Sequence, residues 1–129
     1  MLEVRGIEVS YGEFLALRGI SFKVEEGELV TIIGANGAGK STILRAVMGL
    51  VRCREGKILF QGEDVTSSPS HYRARLGMSL VPEGRKIFPD LTVSENLLMG
   101  AYIQNKREAI QTSMDEAFHL FPVLKERKN

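Results

Sequence analysis

Gly34-Ala35-Asn36-Gly37-Ala38-Gly39-Lys40-Ser41 decides how this sequence is read, because it matches G-x-x-x-x-G-K-[ST] at every fixed position. A triphosphate is a small, curved, densely charged anion that needs several donors converging on it. A glycine-rich loop can supply them, since glycine tolerates positive φ and lets backbone N–H groups turn inward at close range. A helix opening directly after the loop aims its partial positive N-terminus at the same anion. In such a loop the backbone of Asn36, Gly37, Ala38 and Gly39 lines the cradle and Lys40 bridges the β- and γ-phosphates. The Ser41 hydroxyl ligates Mg²⁺, and Thr42 adds a donor toward the α-phosphate. The plain alternative is a glycine-rich turn without a ligand. A chance match arises in about 1% of chains of this length, and the flanking pattern argues further against it.

Upstream, Glu28 to Ile33 (ELVTII) is a short, nearly continuous apolar run, the pattern of a strand buried on both faces in a parallel sheet. Downstream, Ile43, Leu44, Val47 and Met48 recur at helical spacing, and Gly49 is placed to end the helix in a left-handed conformation. Strand, loop and helix thus follow in the order the chemistry needs. Toward the N-terminus, Leu2, Val4, Ile7 and Val9 form a β-prone stretch, and Ile20, Phe22 and Val24 alternate with period two, predicting an antiparallel opening layer. Beyond Gly49, Lys57 to Phe60 and Met78 to Val81 read as strands, with a short helix between them starting at Ser68 and Pro69. Thr92 and Glu95 fit a capping box at the start of a helix over 93–102. Ile110, Met114, Ala117, Phe118 and Phe121 share one face of a further helix.

The 129 residues suffice for one domain or part of one, and 43% hydrophobic with 26% charged residues is a soluble, folding composition. A net charge of +1 gives no electrostatic case for nucleic acid or anionic lipid as the main partner. Cys53 is alone, which excludes an intrachain disulfide and fits a reducing compartment. No apolar run approaches the roughly 18 residues of a membrane span, and the first residues lack the apolar core of a secretion signal. His71, His119 and Cys53 read as surface or structural residues rather than as parts of a site.

A phosphate loop alone does not select a reaction, since kinases, GTPases and transport ATPases share it. The flanking segments, taken in order, resemble the ABC transporter ATPase family across essentially the whole chain. Ile7 to Leu17 (IEVSYGEFLAL) is similar to that family's adenine-stacking segment, with Tyr11 in the aromatic position, where a flat ring can stack on a purine. GISFKVEEG (19–27) and GKILFQGEDV (56–65) are similar to its β-rich portion. LVPEGR (80–85) corresponds to a loop in which the family commonly carries Gln near Mg²⁺ and the attacking water, and here Glu83 stands in that place. A carboxylate can still ligate Mg²⁺ but cannot donate as an amide does. VPEGRKIFPDLTVSENLLMGAY and the terminal LFPVLKER resemble the ATP-binding subunits of branched-chain amino acid importers.

The resemblance implies an α/β fold of the P-loop NTPase type, with an antiparallel β layer, a mainly parallel core sheet and the start of a helical subdomain. Residues 1–83 would be the β layer and P-loop core, and 84–129 the start of the helical part. It implies ATP and Mg²⁺ as ligands, Lys40 and Glu83 as catalytic residues, and Ser41 and Glu83 as metal ligands. Its implied partners are a membrane-spanning permease subunit, received near Arg85, Phe88 and Pro89, and a second ATP-binding subunit. Nucleic acid is not among them. The implied location is peripheral, on the cytoplasmic face of the cell membrane. The family's LSGGQ-type segment, its strand ending in Asp-Glu and its later switch histidine have no counterpart in the 129 residues. The expectation is therefore an N-terminal part of one ATP-binding domain, which alone binds nucleotide weakly or not at all and hydrolyses it negligibly. The competing readings are another P-loop NTPase or small kinase, and a non-hydrolysing nucleotide-binding fragment.

Overall fold

A computed structural model describes residues 1–84 and 86–128, in two compact units, Met1–Leu80 and the segment from Val81 onward. In the first unit, strands β1 (Leu2–Tyr11), β2 (Phe14–Val24), β3 (Glu55–Phe60) and β4 (Glu63–Asp64) form one sheet in the order β2-β1-β3-β4. All three pairings are antiparallel. The β1–β2 hairpin turns through Gly12-Glu13, and Gly12 (φ 60°) supplies the positive dihedral that a two-residue hairpin of this twist requires.

β1 is the central strand, with Val4 opposite Phe22 on one side and Ile58 on the other. A register shift between Val4 and Ile7 rephases its alternation, so Val4, Ile7 and Val9 all point into the core despite the odd first spacing. Helix α1 (Lys40–Val47) buries Ile43, Ala46 and Val47, one apolar stripe at helical spacing, in the same core as Leu17, Ile58 and Val65. Gly49 (φ 69°) ends the helix as expected, with its N–H donating to the Ala46 carbonyl and the Leu50 N–H to that of Arg45. Helix α2 (Ser70–Arg75) begins one to two residues later than the sequence suggests. Pro69 has extended backbone (φ −69°, ψ 158°) and caps the helix from outside, as residues at that position do.

The α/β class stands, but the parallel part of the sheet is not formed among the described residues. Neither 28–33 nor 78–81 is a paired strand. A buried strand is defined by its neighbours, and no described segment pairs with either stretch. Leu29 and Ile33 are accordingly 93% and 91% exposed, while Met78 reaches the core on its own. An apolar run says what a segment could bury against, not that the neighbour is present.

The second unit is helical. α3 (Val93–Gly100) starts at the capping box read from the sequence: Thr92 Oγ1 accepts the Glu95 N–H at 3.2 Å, and the Glu95 carboxylate accepts the Thr92 N–H at 2.8 Å. It ends two residues short of the expected Tyr102. α4 (Arg107–Leu120) and α5 (Pro122–Glu126) are divided at Phe121, which leaves helical dihedrals (φ −131°, ψ 77°) before a proline suited to a first helical position. Ile110, Met114, Ala117 and Phe118 are half-buried on one side of α4, whereas Phe121 lies beyond the helix and is exposed.

Candidate functional site

The glycine loop runs from Gly34 to the start of α1 and is open to solvent over Gly34 to Ala38. Gly37 (φ 84°) and Gly39 (φ 90°) are both left-handed, and the Ala38 N–H turns back to the Ala35 carbonyl at 3.2 Å. The chain therefore curls before entering the helix, as an anion-binding nest requires. Gly39 is the N-cap of α1 and has no side chain to offer the free N–H groups of the first turn. A helix N-terminus of this kind presents the positive end of its dipole toward the loop.

Gly39 is required twice over. A Cβ there would lie 2.8 Å from Leu17 Cδ2 and 3.1 Å from the Ala16 carbonyl, and its φ disfavours any L side chain. This contact seats the end of the loop against β2, three residues beyond the β1–β2 turn that carries Tyr11. Tyr11 itself is the last residue of β1, 44% exposed, and pairs with the more exposed Phe14.

Lys40, first residue of α1, folds back over the loop. Its Nζ donates to the carbonyls of Gly34 and Ala35, both at 2.8 Å. The ammonium is thus held at the mouth of the curl by two oxygens that a polyphosphate could replace. Ser41 is exposed and Thr42 half-buried, both on the first turn. Asn36, Gly37 and Ala38 form the exposed tip.

Glu83 belongs to the second unit, in a solvent-exposed loop. Among the described residues no group of three or more His, Cys, Asp or Glu side chains could hold a metal. The exposed Ser41 hydroxyl at the start of α1 is a hard oxygen donor of the kind Mg²⁺ takes. His71 and His119 are exposed on helices. Cys53 is half-buried, and burial raises its thiol pKa, opposed by the charge of Arg73, so it has no activated thiolate.

In the second unit, a groove of about 720 Å³ is lined mainly by apolar side chains, among them Ile87, Phe88, Leu91, Leu97, Met99 and Tyr102. It includes Phe88 and Pro89, two of the three residues expected at a docking surface; the third, Arg85, lies outside the described residues. Asn96, which carried no signal in the sequence beyond its place in a helix, ties this loop together through four hydrogen bonds. Arg73, 1% exposed, was likewise unmarked. No helix among the described residues is long and apolar enough to cross a membrane.

The family model described as ABC transporter matches residues 17–128. The high-affinity branched-chain amino acid transport ATP-binding protein BraG of Pseudomonas aeruginosa is 44% identical over 127 residues, which are 98% of this chain and 54% of that protein. A probable branched-chain amino acid transport ATP-binding protein, LivF, of Archaeoglobus fulgidus is 33% identical over 97% of this chain and 52% of its own length. Among solved structures, a nucleotide-free ATP-binding cassette from an ABC transporter superposes with a TM-score of 0.81 at 26% identity, covering 99% of this chain and 56% of that one. The chain spans about half the length of the curated relatives it matches.

Proposed function

The chain belongs to the ABC transporter family, and on that premise we propose that it carries the nucleotide-binding half of an ATP-binding, energy-coupling subunit of an importer for branched-chain amino acids. The observation that carries this reading is the Lys40 ammonium, held across the mouth of a left-handed glycine curl by the Gly34 and Ala35 carbonyls. Bound ATP would take those places with its β- and γ-phosphates, while the N–H groups of the loop and of the first turn of α1 converge on the same oxygens. Tyr11 would stack on the adenine, and Ser41 would supply a hydroxyl for Mg²⁺. Mg²⁺, when bound, supplies charge neutralisation between the phosphates. This chain's own contribution is to orient the polyphosphate and hold it still.

The branched-chain assignment rests on the likeness to two branched-chain amino acid transport ATP-binding proteins, and the peripheral, cytoplasmic-face location is inferred from the same likeness. The apolar groove of the second unit, at the Phe88 and Pro89 loop, would receive a helix of the membrane-spanning permease subunit. Its apolar lining with few charges suits burial of a helix end rather than binding of a charged solute. Hydrolysis would take place in an assembly with a second ATP-binding subunit, because phosphoryl transfer needs several groups acting together.

A fluorescent ATP analogue titrated into the chain tests the reading. Weak but saturable binding that is lost in Lys40→Ala and competed by ATP is the expected result. Binding indifferent to Lys40, or transfer of phosphate to a small acceptor, would replace this reading with a different P-loop function.

A further inference from the structure

The largest fully buried side chain in the first unit is charged. Arg73, on the short helix α2, is 1% exposed, and no carboxylate forms a salt bridge with it among the described residues. Its partners are four backbone carbonyls. Nη1 donates to Ala46 and Val47 at 2.8 and 2.7 Å, Nε to Ser68 at 3.0 Å, and Nη2 to Thr66 at 3.0 Å. Two of these belong to the last turn of α1, whose carbonyls carry the negative end of the helix dipole. The other two belong to the turn that leads into α2. Gly49 forms the floor of the arrangement, since a Cβ there would sit 2.8 Å from Nε and 2.9 Å from the Ser68 carbonyl. A planar fork of five donors is the side chain able to satisfy carbonyls from two segments at once.

α1 has Lys40 at one end and this guanidinium at the other, about 12 Å apart along a helix of eight residues. A helix of two turns transmits a displacement at one end to the other. We infer that Arg73 is a positioning residue for the phosphate loop: by tying the last turn of α1 to residues 66–68 it fixes where the helix presents Gly39, Lys40, Ser41 and Thr42. The inference rests on the nucleotide reading above for its ligand, but not for its structural content. Burial of a charge to satisfy carbonyls is a costly way to fill a core, and an apolar side chain would fill it without that cost. What the guanidinium adds is a fixed geometry between two backbone segments.

The test uses the whole chain, with Arg73→Lys, which keeps the charge but cannot span four carbonyls, and Arg73→Ala with and without methylguanidinium. Amide hydrogen exchange is measured on nucleotide-free protein, followed by titration with a fluorescent ATP analogue. In Arg73→Lys the amides of 39–47 should exchange about tenfold faster while those of β1 and β2 stay unchanged, and nucleotide affinity should fall about tenfold. Methylguanidinium should restore both in Arg73→Ala, and methylammonium should restore neither. Equal acceleration across β1, β2 and α1 would make Arg73 a general core residue and overturn the inference, as would unchanged exchange in 39–47. Lys40→Ala, titrated in parallel, separates the two readings. If affinity ignores Lys40, the phosphate-site reading fails while the exchange map still decides the role of Arg73.

Discussion

The Asn96 carboxamide grips the Phe88 backbone from both sides: its Oδ1 accepts the Phe88 N–H at 2.8 Å and its Nδ2 donates to the Phe88 carbonyl at 3.0 Å. The same Nδ2 also reaches the carbonyls of Leu91 and Thr92, at 3.0 and 2.9 Å. One side chain on α3 therefore fixes the loop that lines the apolar groove. Asn96→Asp exchanges this donor for a second acceptor and sets a carboxylate against three carbonyl oxygens. It should destabilise the loop by about 1–3 kcal/mol. Amide exchange in residues 86–92 should accelerate, with β1 as the unaffected control; protection equal to wild type would show that the loop is held by other means.

Lys40→Ala should leave the fold almost untouched while removing nucleotide affinity. The two bonds that Lys40 makes are to carbonyls of an exposed loop, and such bonds are worth about 1 kcal/mol or less in net stability. Against a polyphosphate the same ammonium is a direct counter-charge. Thermal denaturation beside an ATP titration reads both quantities. A large fall in melting temperature would mean that the lysine is a structural clamp first.

How much of this site was legible in the sequence depends on how local each signal was. Gly49 as helix terminator and the Thr92–Glu95 box rest on residues within a few positions of one another, and each formed as read. The strands at 28–33 and 78–81 rest on neighbours far away in the chain, and an apolar run cannot certify those. Arg73 was illegible for a related reason: nothing in SHYRAR distinguishes the one arginine whose guanidinium meets carbonyls of residues 46, 47, 66 and 68 from Arg75 two positions on, which is exposed.

Gly37 and Gly39 share a left-handed backbone but not a neighbourhood, and this predicts different outcomes for the same substitution. A methyl group at Gly37 meets nothing within 4 Å, so Gly37→Ala should cost only the backbone preference, about 1–2 kcal/mol. At Gly39 the methyl would also press on Leu17 and the Ala16 carbonyl, adding an overpacking cost of about 1–3 kcal/mol. Urea denaturation of the pair should rank Gly39→Ala well below Gly37→Ala. Equal midpoints would mean that β2 and the loop can part without penalty.

The capping box makes the start of α3 sensitive to acid. Hydrogen bonds from the Thr92 N–H and hydroxyl hold the Glu95 carboxyl below its ordinary value of 4.5. A carboxylate with a lowered folded-state pKa contributes stability that is full above the ordinary value and is lost as pH falls through the folded one. Helix protection at 93–96 should thus be constant at neutral pH and decline below pH 4.5. Glu95→Gln keeps an acceptor for the Thr92 N–H without a titrating group, so its α3 protection should be flatter with pH over that range. An identical acid profile in the two proteins would place the sensitive group elsewhere.

Leu29 and Ile33, at 93% and 91% exposure, are the most solvent-exposed large apolar residues of the first unit and flank a segment rich in β-branched residues. Such a stretch, lacking a paired neighbour among the described residues, is a template for association with another copy. Replacing both with lysine puts like charges on that segment without touching the buried residues Ile43, Ala46 and Val47 or the glycine loop. The double variant should stay monomeric at concentrations where the parent chain self-associates, by light scattering, and should keep the same thermal midpoint. If the midpoint falls instead, these side chains take part in the packing of the first unit, and the association reading fails.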